Sequence, residues 1–504
     1  MLKKIRIVLA ALFFVLVTTL FLDFTGTVHG WWGWLAKIQF LPALLAVNVG
    51  VVLVLVLLTL LCGRIYCSVI CPMGVFQDVV SWLSRRGRKR KFRYSYSPAK
   101  NVLRYGVLFV FVVAFIAGVG SFVALLAPYS SYGRMVQNLL SPIYVFVNNL
   151  LAGWAESAGS YAFYHTDFWV RNWWTFGIAV VTFVVVIILA WRNGRTYCNT
   201  ICPVGTILGF FARFSWFKPF IDTDKCVNCR RCEKGCKAAC INIKDHTVDY
   251  SRCVACMNCI GACHKGAIRY AHPVKVSVKK QATEVKESHV QTAQVDNARR
   301  TFLTTGAMAA TAAMLHAQEK TVDGGLAVIE EKKIPARSVP LLPPGAKGRR
   351  DFAHRCTACQ LCVSVCPNGV LRPSTSLTTL MQPEMSYERG FCRPECTKCS
   401  DVCPAGAIRP ISVADKSATQ IGHAVWVKEN CVVLTDGVAC GNCARHCPAG
   451  AIQMIPSDST SPDSPKIPAV NVERCIGCGA CEYRCPARPF SAIYVEGHEL
   501  HKTI

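Results

Sequence analysis

Four long apolar runs dominate the first two hundred residues. They lie at 5–22, 41–62, 103–127 and 174–191, and each is long enough to cross roughly 30 Å of hydrocarbon as a helix. Lys3, Lys4 and Arg6 precede the first run, as basic residues do in a secretory signal peptide, but no A-x-A cleavage site follows. Trp31, Trp32 and Trp34 come next instead, an aromatic cluster suited to a membrane interface, so the run reads as a retained helix. Between runs two and three stand Arg85, Arg86, Arg88, Lys89, Arg90, Lys91 and Arg93, whereas the segment between runs three and four carries only Arg134 and Arg171. Positive charge gathers on the cytoplasmic side of membrane proteins, which puts the 85–93 loop and both ends of the bundle there.

Past the fourth run the apolar pattern stops. Residues 271–298 are polar and without period, as a linker is. Residues 299–317 begin with Arg299 and Arg300 and continue into a weakly apolar small-residue stretch, shorter than a membrane span, that resembles a twin-arginine export signal or a further anchor. Residues 318–350 read as a second tether, with prolines at 335, 340, 343 and 344. The expected organisation is a four-helix membrane domain at 1–205, a small module at 206–270, linkers at 271–298 and 318–350 around the export-like segment, and a larger module at 351–504.

Composition sharpens this picture. A hydrophobic share of 52% agrees with membrane segments. The net charge of +26 could suggest nucleic acid, but many of the basic residues flank the apolar runs, where membrane orientation requires them. No nucleic-acid partner is expected; the expected surroundings are membrane lipid.

The thirty cysteines carry the chemistry. Residues 226–263 hold Cys226, Cys229, Cys232 and Cys236, then Cys253, Cys256, Cys259 and Cys263. This is the spacing of a bacterial two-cluster ferredoxin, where three cysteines of a run hold one [4Fe–4S] cluster and the fourth crosses to the other. Structural zinc fits less well, because each run offers three evenly spaced ligands and a distant fourth. The proline usual after the fourth cysteine is absent at Lys237 and His264, and Cys240 is an extra candidate; Cys236 has the standard spacing and is preferred. Four more runs follow: Cys356, Cys359, Cys362 and Cys366; Cys392, Cys396, Cys399 and Cys403; Cys431, Cys440, Cys443 and Cys447, with an insertion at 432–439; and Cys475, Cys478, Cys481 and Cys485. Pro367, Pro404, Pro448 and Pro486 follow the fourth cysteines, and Ala-Gly-Ala-Ile follows two of these prolines. Six quartets use twenty-four cysteines and predict six [4Fe–4S] clusters; Cys62, Cys240 and four others remain.

Those four form a repeat. Residues 63–74 read GRIYCSVICPMG and residues 194–205 read GRTYCNTICPVG, each after an even-numbered apolar run. Cys67 and Cys71, and Cys198 and Cys202, are four apart, which puts both sulfurs on one face if the stretch is helical. Packing, with Pro72 and Pro203 ending the helices, competes with redox-active thiols or metal ligands.

Four spans, the two GR-x-YC-x-x-ICP elements, the phrase APYSSYGRM at 127–135 and the following two-cluster module together resemble the NapH family, membrane-bound quinol-oxidising ferredoxins, whose relatives include the C-terminal part of NosR and the oxidase accessory protein CcoG. Residues 351–504 resemble the MauM/NapG four-cluster periplasmic ferredoxins. That second resemblance implies that the first run pairs with the fourth and the second with the third. Cys356, Cys359 and Cys362 would then share a cluster with Cys485, and Cys475, Cys478 and Cys481 with Cys366. Likewise Cys392, Cys396 and Cys399 would take Cys447, and Cys431, Cys440 and Cys443 would take Cys403.

The fold expected is therefore a membrane α-helical bundle with four transmembrane helices plus α+β ferredoxin-like modules. No nucleophile–base pair, phosphate loop or dinucleotide fingerprint is present, so the chain reads as an electron-transfer subunit without a substrate-converting site. Its expected task is passing electrons from the quinone pool, or a cytoplasmic donor, to a periplasmic reductase or cytochrome partner. The expected place is the bacterial inner membrane, with the two-cluster module cytoplasmic and the four-cluster module periplasmic. Asp23, His29, His165 and Asp167 could accept quinol protons near the periplasmic face, against the plainer reading of ordinary loop residues. Two other functions compete: an accessory role in metalloenzyme maturation, as in NosR and CcoG, and a membrane-anchored ferredoxin array lying wholly in the cytoplasm.

Overall fold

A computed structural model describes residues 2–23, 25–86, 94–160, 163–166, 169–272, 330–458, 460–461 and 464–504. The chain divides into two units, one comprising Met1–Pro273 and Ile334–Ile504, the other Val274–Lys333. The export-like segment at 299–317, the linker at 271–298 from residue 273 onward, residues 318–329 of the second tether, and residues 87–93 of the basic loop lie outside the described residues.

Among the described residues, the first 211 form mainly helices. In order they form α1 (Leu2–Leu22), α2 (Thr27–Trp32), α3 (Trp34–Lys37), α4 (Phe40–Leu45), α5 (Val49–Cys62), α6 (Tyr66–Val69), α7 (Pro72–Arg86), α8 (Asn101–Ile116), α9 (Gly120–Leu126), α10 (Pro128–Met135), α11 (Ser141–Ser157), α12 (Trp173–Asn193), α13 (Thr196–Thr200) and α14 (Pro203–Phe211). Among the described residues, α1 and α12 are long and apolar enough to cross a membrane unaided. The second and third apolar runs are interrupted instead of continuous. After α4 the chain turns at Val47, in the left-handed region at φ 56°, with the Asn48 amide bonded back to Ala43 O, and Asn48 Oδ1 then caps α5 by accepting from the Val51 amide. After α8 it turns at Gly118, φ 75°, with the Val119 amide bonded to Ala114 O. Both are left-handed helix stops that satisfy the last carbonyls, and hydropathy alone cannot see them.

Apolar side chains both seal and clothe this bundle. Val17, Leu20 and Phe21 of α1 are buried with Leu55, Phe111 and Val186 in one continuous core, each contributing roughly 1.5–3 kcal/mol. Outside, Val8 and Leu12 of α1, Leu53 and Leu57 of α5, Phe109 and Val113 of α8, Phe146 and Leu150 of α11, and Val181 and Ile188 of α12 are exposed. So broad an apolar surface is the kind that lipid covers.

The two cysteine-rich modules cap opposite ends of the bundle. At one end, Tyr270 hydroxyl donates to Cys62 O at the close of α5 (2.7 Å), Arg104 near the start of α8 reaches Ser251 O (2.8 Å), and the Arg195 amide beyond α12 donates to Lys237 O (2.8 Å). At the other end, Lys398 Nζ donates to Thr25 O beyond α1 (2.8 Å), Arg355 to Leu45 O at the end of α4 (3.4 Å), and Asn172, the cap of α12, to Pro373 O (2.8 Å). Helix by helix, the end that meets residues 218–271 is the opposite of the end that meets residues 351–504.

Each module is a set of short antiparallel ribbons holding loops. Lys218–Ile221 pairs with Ile268–Ala271, placing Phe220 opposite Arg269, and Ile241–Asn242 pairs with Thr247–Val248. In the larger module Leu371–Pro373 pairs with Pro383–Met385, Ile452–Pro456 with Lys466–Val470, and the long Thr419–Trp426 with Ile493–Thr503, where Ala424 faces Val495. Residues 334–348, expected within a tether, instead belong to this module. Leu341 and Leu342 are buried, the Met385 amide bonds to Leu341 O (2.8 Å), and Arg337 pairs with the buried Glu482 at 2.6 Å. Prolines at 340, 343 and 344 are compatible with an extended strap laid on a core.

Candidate iron–sulfur sites

The evenly spaced cysteine runs fold alike. In Cys226–Cys232 the residues flanking the middle cysteine, Asn228 and Arg230, are left-handed; so are Ala255 and Met257, Ala358 and Gln360, and Gly477 and Gly479 in the three runs with the same spacing. A left-handed non-glycine residue costs roughly 1–2 kcal/mol, and such a pair recurs in three of the loops, the fourth using glycine at both positions. Successive turns of this kind aim backbone amides inward as an anion nest, and the Ala358 amide lies 3.5 Å from Cys356 Sγ. The fourth cysteines are held similarly. The Ile408 amide donates to Cys403 Sγ at 3.4 Å, Ala451 to Cys447 at 3.3 Å and Ala492 to Cys485 at 3.3 Å. The Ala-Gly-Ala-Ile phrases thus bring an amide back onto the sulfur.

These loops gather the thiols into sets. Cys226, Cys229, Cys232 and Cys263 line one cavity, and Cys236, Cys240, Cys253, Cys256 and Cys259 line a second. Cys236 and Cys240 both reach the second, their sulfurs 3.6 Å apart. In the larger module Cys356, Cys359 and Cys362 meet Cys403, and Cys392, Cys396 and Cys399 meet Cys366. Cys431, Cys440 and Cys443 meet Cys485, and Cys475, Cys478 and Cys481 neighbour Cys447. This corrects the expected pairing. The first run crosses with the second and the third with the fourth, because the run at 356–366 packs against that at 392–403 and the 432–439 insertion folds into a helical turn, Val432–Thr435, that buries Val433.

The donor sets fit [4Fe–4S] clusters. Each cavity-lining set offers four or five thiols from two loops around one cavity, and among the described residues no three thiols, imidazoles or carboxylates converge as a single ion requires. Burial pushes the Cys232, Cys359 and Cys443 thiols up to about 11 and Cys478 to about 12, so loading iron must displace their protons. Cations attend the sets: Lys416, buried, donates to Arg393 O and Cys396 O beside Cys392.

The two CxxxCP elements form a further constellation. Each leaves a long helix through a left-handed glycine, Gly63 after α5 and Gly194 after α12, passes a short helix, and restarts at a proline. Pro72 and Pro203 begin α7 and α14 rather than ending helices, as a residue lacking an N–H can at a first turn. Cys67, Cys71, Cys198 and Cys202 are all buried and lie within electrostatic reach of one another. The elements interlock by exchange. Arg64 Nη2 donates to Cys198 O (3.2 Å), and Arg195 Nη1 to Cys67 O (2.6 Å). A Cβ on Gly205 would fall 2.2 Å from Cys198 O, and one on Gly74 would fall 2.1 Å from Cys67 O, so only glycine admits these approaches. Gln77 Nε2 sits 3.1 Å from Cys198 Sγ, and the Gly205 amide 3.3 Å from Cys202 Sγ. The GR-x-YC phrase contained these arginines; what the sequence did not signal was their complete burial.

Of the acid–base residues, Asp23 and His29 come together, His29 Nδ1 lying 3.0 Å from Asp23 Oδ2 with both side chains buried. Burial works to raise Asp23, but hydrogen bonds from Thr25, His29 and Gly26 outweigh it and hold the carboxyl below its usual range. His165 is apart and exposed, 3.6 Å from Glu156. Asp167 lies outside the described residues.

Comparison with known proteins agrees with this chemistry. The family described as 4Fe-4S binding domain matches residues 44–91 and 174–222, the CxxxCP elements and their helices, and the 4Fe-4S dicluster domain matches 438–488. Over 193 residues the chain is 23% identical to the ferredoxin-type protein NapH of Haemophilus influenzae, covering 38% of this chain and 53% of that one. It is 23% identical over 189 residues to the methylamine utilization ferredoxin-type protein MauN of Paracoccus denitrificans, covering 37% and 53%. Over 164 residues it is 34% identical to the methylamine utilization ferredoxin-type protein MauM of Methylobacillus flagellatus, covering 32% of this chain and 70% of that one. The chain spans about half the length, or less, of several curated relatives it matches. No solved structure matches. Left-handed cysteine loops, sulfur-directed amides and 34% identity over most of MauM converge: this chain belongs to the ferredoxin-type family of MauM.

Proposed function

We propose that this protein carries electrons through the inner membrane, from quinol or a cytoplasmic donor to a periplasmic reductase or redox partner. Six [4Fe–4S] clusters supply single-electron chemistry when bound, held by the six thiol sets. One observation carries the reading: the two modules cap opposite ends of a bundle with an apolar exterior. A bundle of four membrane-crossing passes, two of them interrupted at Val47 and Gly118, would put one module on each face. The basic residues at 85–93 favour the cytoplasm for the 226–263 end.

The residues around each set suit transfer rather than substrate conversion. Arg134, 1% exposed, lies beneath the first set of the larger module and donates to Ala358 O at 3.3 Å; no carboxylate pairs with it among the described residues. Such a buried cation is costly unless an anion stands nearby, and the thiolates of Cys356, Cys359, Cys362 and Cys403 would be that anion. The Asp23–His29 pair, under Lys398 of the same module, is the better placed of the expected proton acceptors for quinol.

The test is reconstitution of the anaerobically purified full chain in liposomes enclosing oxidised cytochrome c. A menaquinol analogue, or an impermeant reductant outside, should reduce the trapped cytochrome at a rate proportional to protein. No reduction above protein-free liposomes would reject the reading.

A further inference from the structure

Between the two modules lies the four-thiol constellation, and on both sides of it the packing continues toward cysteine sets. On one side Arg64 bridges it to the smaller module. It donates to Cys198 O, to Asn199 Oδ1 (3.0 Å) and to Ser251 O (3.0 Å), two residues before Cys253. Asn199 Nδ2 in turn donates to Ala238 O (3.3 Å), two residues after Cys236. On the other side Tyr197, beside Cys198, sends its hydroxyl to Leu126 O (3.2 Å) at the opposite end of the bundle. Tyr197 is an electrostatic neighbour of Arg134, which is in turn a neighbour of Cys359. Tyr66, beside Cys67, sends its hydroxyl to Gln39 Oε1 (3.1 Å). The thiols therefore occupy the interior of the bundle, between the set at Cys356/Cys359/Cys362/Cys403 and the set at Cys236–Cys259.

The surroundings hold more buried cations than anions. Arg64 and Arg195 are 0% exposed. Arg6, Arg195 and Lys237 share one carboxylate, Asp78, and Arg64 has none among the described residues. The donors Arg64 Nε and Arg195 Nη2 are buried without partners. Surplus buried positive charge with orphaned donors beside four thiols fits a centre whose net charge is negative, which four thiolates on an iron–sulfur cluster provide. A single zinc ion fits poorly, since the thiols do not converge on one point.

We infer that Cys67, Cys71, Cys198 and Cys202 hold a seventh iron–sulfur cluster, inside the bundle, that relays electrons between the two modules. The inference rests on the reading that the modules carry clusters on opposite membrane faces. The step moves one electron and no atoms: the donor is a reduced [4Fe–4S] cluster of one module, the acceptor an oxidised cluster of the other. Arg64 and Arg195 are positioning residues that neutralise the charge, and Gln77 tunes the centre through its contact with Cys198 Sγ.

The test uses the full chain, purified anaerobically, with Cys67→Ser, Cys198→Ser and Gln77→Met variants. Wild type should carry two or four irons beyond the six quartets' complement of about twenty-four. The serine variants should lose only that excess, keep the remaining reduced-state electron paramagnetic resonance signals, and reduce cytochrome trapped in liposomes at least about 100-fold more slowly. Retained signals also show that these variants fold. Gln77→Met should lower the midpoint potential of the added signal, because a hydrogen bond to sulfur is lost. Zinc or no metal in place of the excess iron, a Cys67–Cys198 disulfide, or unchanged transfer in both serine variants would overturn the relay alone. Wild type with the excess iron but no reduction of trapped cytochrome would overturn the opposite-face reading, and the relay with it.

Discussion

The Asp78 carboxylate meets the Lys237 ammonium at 2.5 Å where the bundle joins the smaller module. Asp78 lies on α7 and Lys237 follows Cys236, so this contact ties a helix of the bundle to a cysteine loop. Arg195 Nε at 2.6 Å and Arg6 complete a four-member charge cluster, almost wholly buried.

Removing the one anion should be severe. Asp78→Asn leaves three buried cations without a countercharge, a loss on the order of 3–5 kcal/mol. Thermal unfolding in detergent should shift clearly downward, and limited proteolysis should release residues 218–271 early. Wild-type stability in the variant would show that the cluster is not a structural tie.

Crossed pairing can be read one cluster at a time. Cys403→Ser should weaken or convert the cluster of Cys356, Cys359 and Cys362, not that of Cys431, Cys440 and Cys443. Pairing it with Cys431→Ser should therefore remove two cluster signals rather than one. If the double variant loses no more than either single one, the third run owns Cys403 after all.

At the second set of the smaller module, Cys236 and Cys240 compete for one ligand position, their sulfurs 3.6 Å apart. Either Cys236→Ser or Cys240→Ser alone should retain the cluster, with a shifted spectrum, and the double variant should lose about four irons. Complete loss in one single variant would assign the ligand to that cysteine and end the redundancy.

The larger module should weaken in mild acid. Burial, with His498 alongside, pushes the His501 imidazole down to about 4. An unfolded chain would take that proton near 6.5, so unfolding binds protons between these values. The stability this histidine contributes is present above about pH 6.5 and lost as pH falls toward about 4, on the order of 1–3 kcal/mol. His501→Gln should flatten the dependence of the unfolding midpoint over that window. An equally steep dependence in the variant would place its origin elsewhere.

Cysteine spacing announced the thiol sets because three ligands on one tight loop are a local property. Which fourth cysteine completes a set is not local. It depends on how whole runs pack, and resemblance to other four-cluster proteins supplied the wrong crossing for Cys366, Cys403, Cys447 and Cys485. Hydropathy located the apolar runs but not the breaks at Val47 and Gly118, where a single left-handed residue ends a helix that composition would continue. The repeat at 63–74 and 194–205 was plain in the sequence. The exchange of Arg64 and Arg195 across it was not, since a charged residue beside an apolar run reads as an interface anchor until its burial is seen. Residues 334–348 failed for the converse reason: proline suggests a tether, although an extended strap on a core uses proline equally well.

Transfer between faces requires residues 226–263 and 351–504 to be on different sides of one membrane. Protease added to intact spheroplasts measures this most directly, repeated with Arg299 and Arg300 both changed to Lys. The account predicts that external protease degrades the four-cluster module of the wild type while residues 226–263 stay protected, and that the double variant is shielded throughout. Protection of both modules in the wild type would put every cysteine set in the cytoplasm and contradict it.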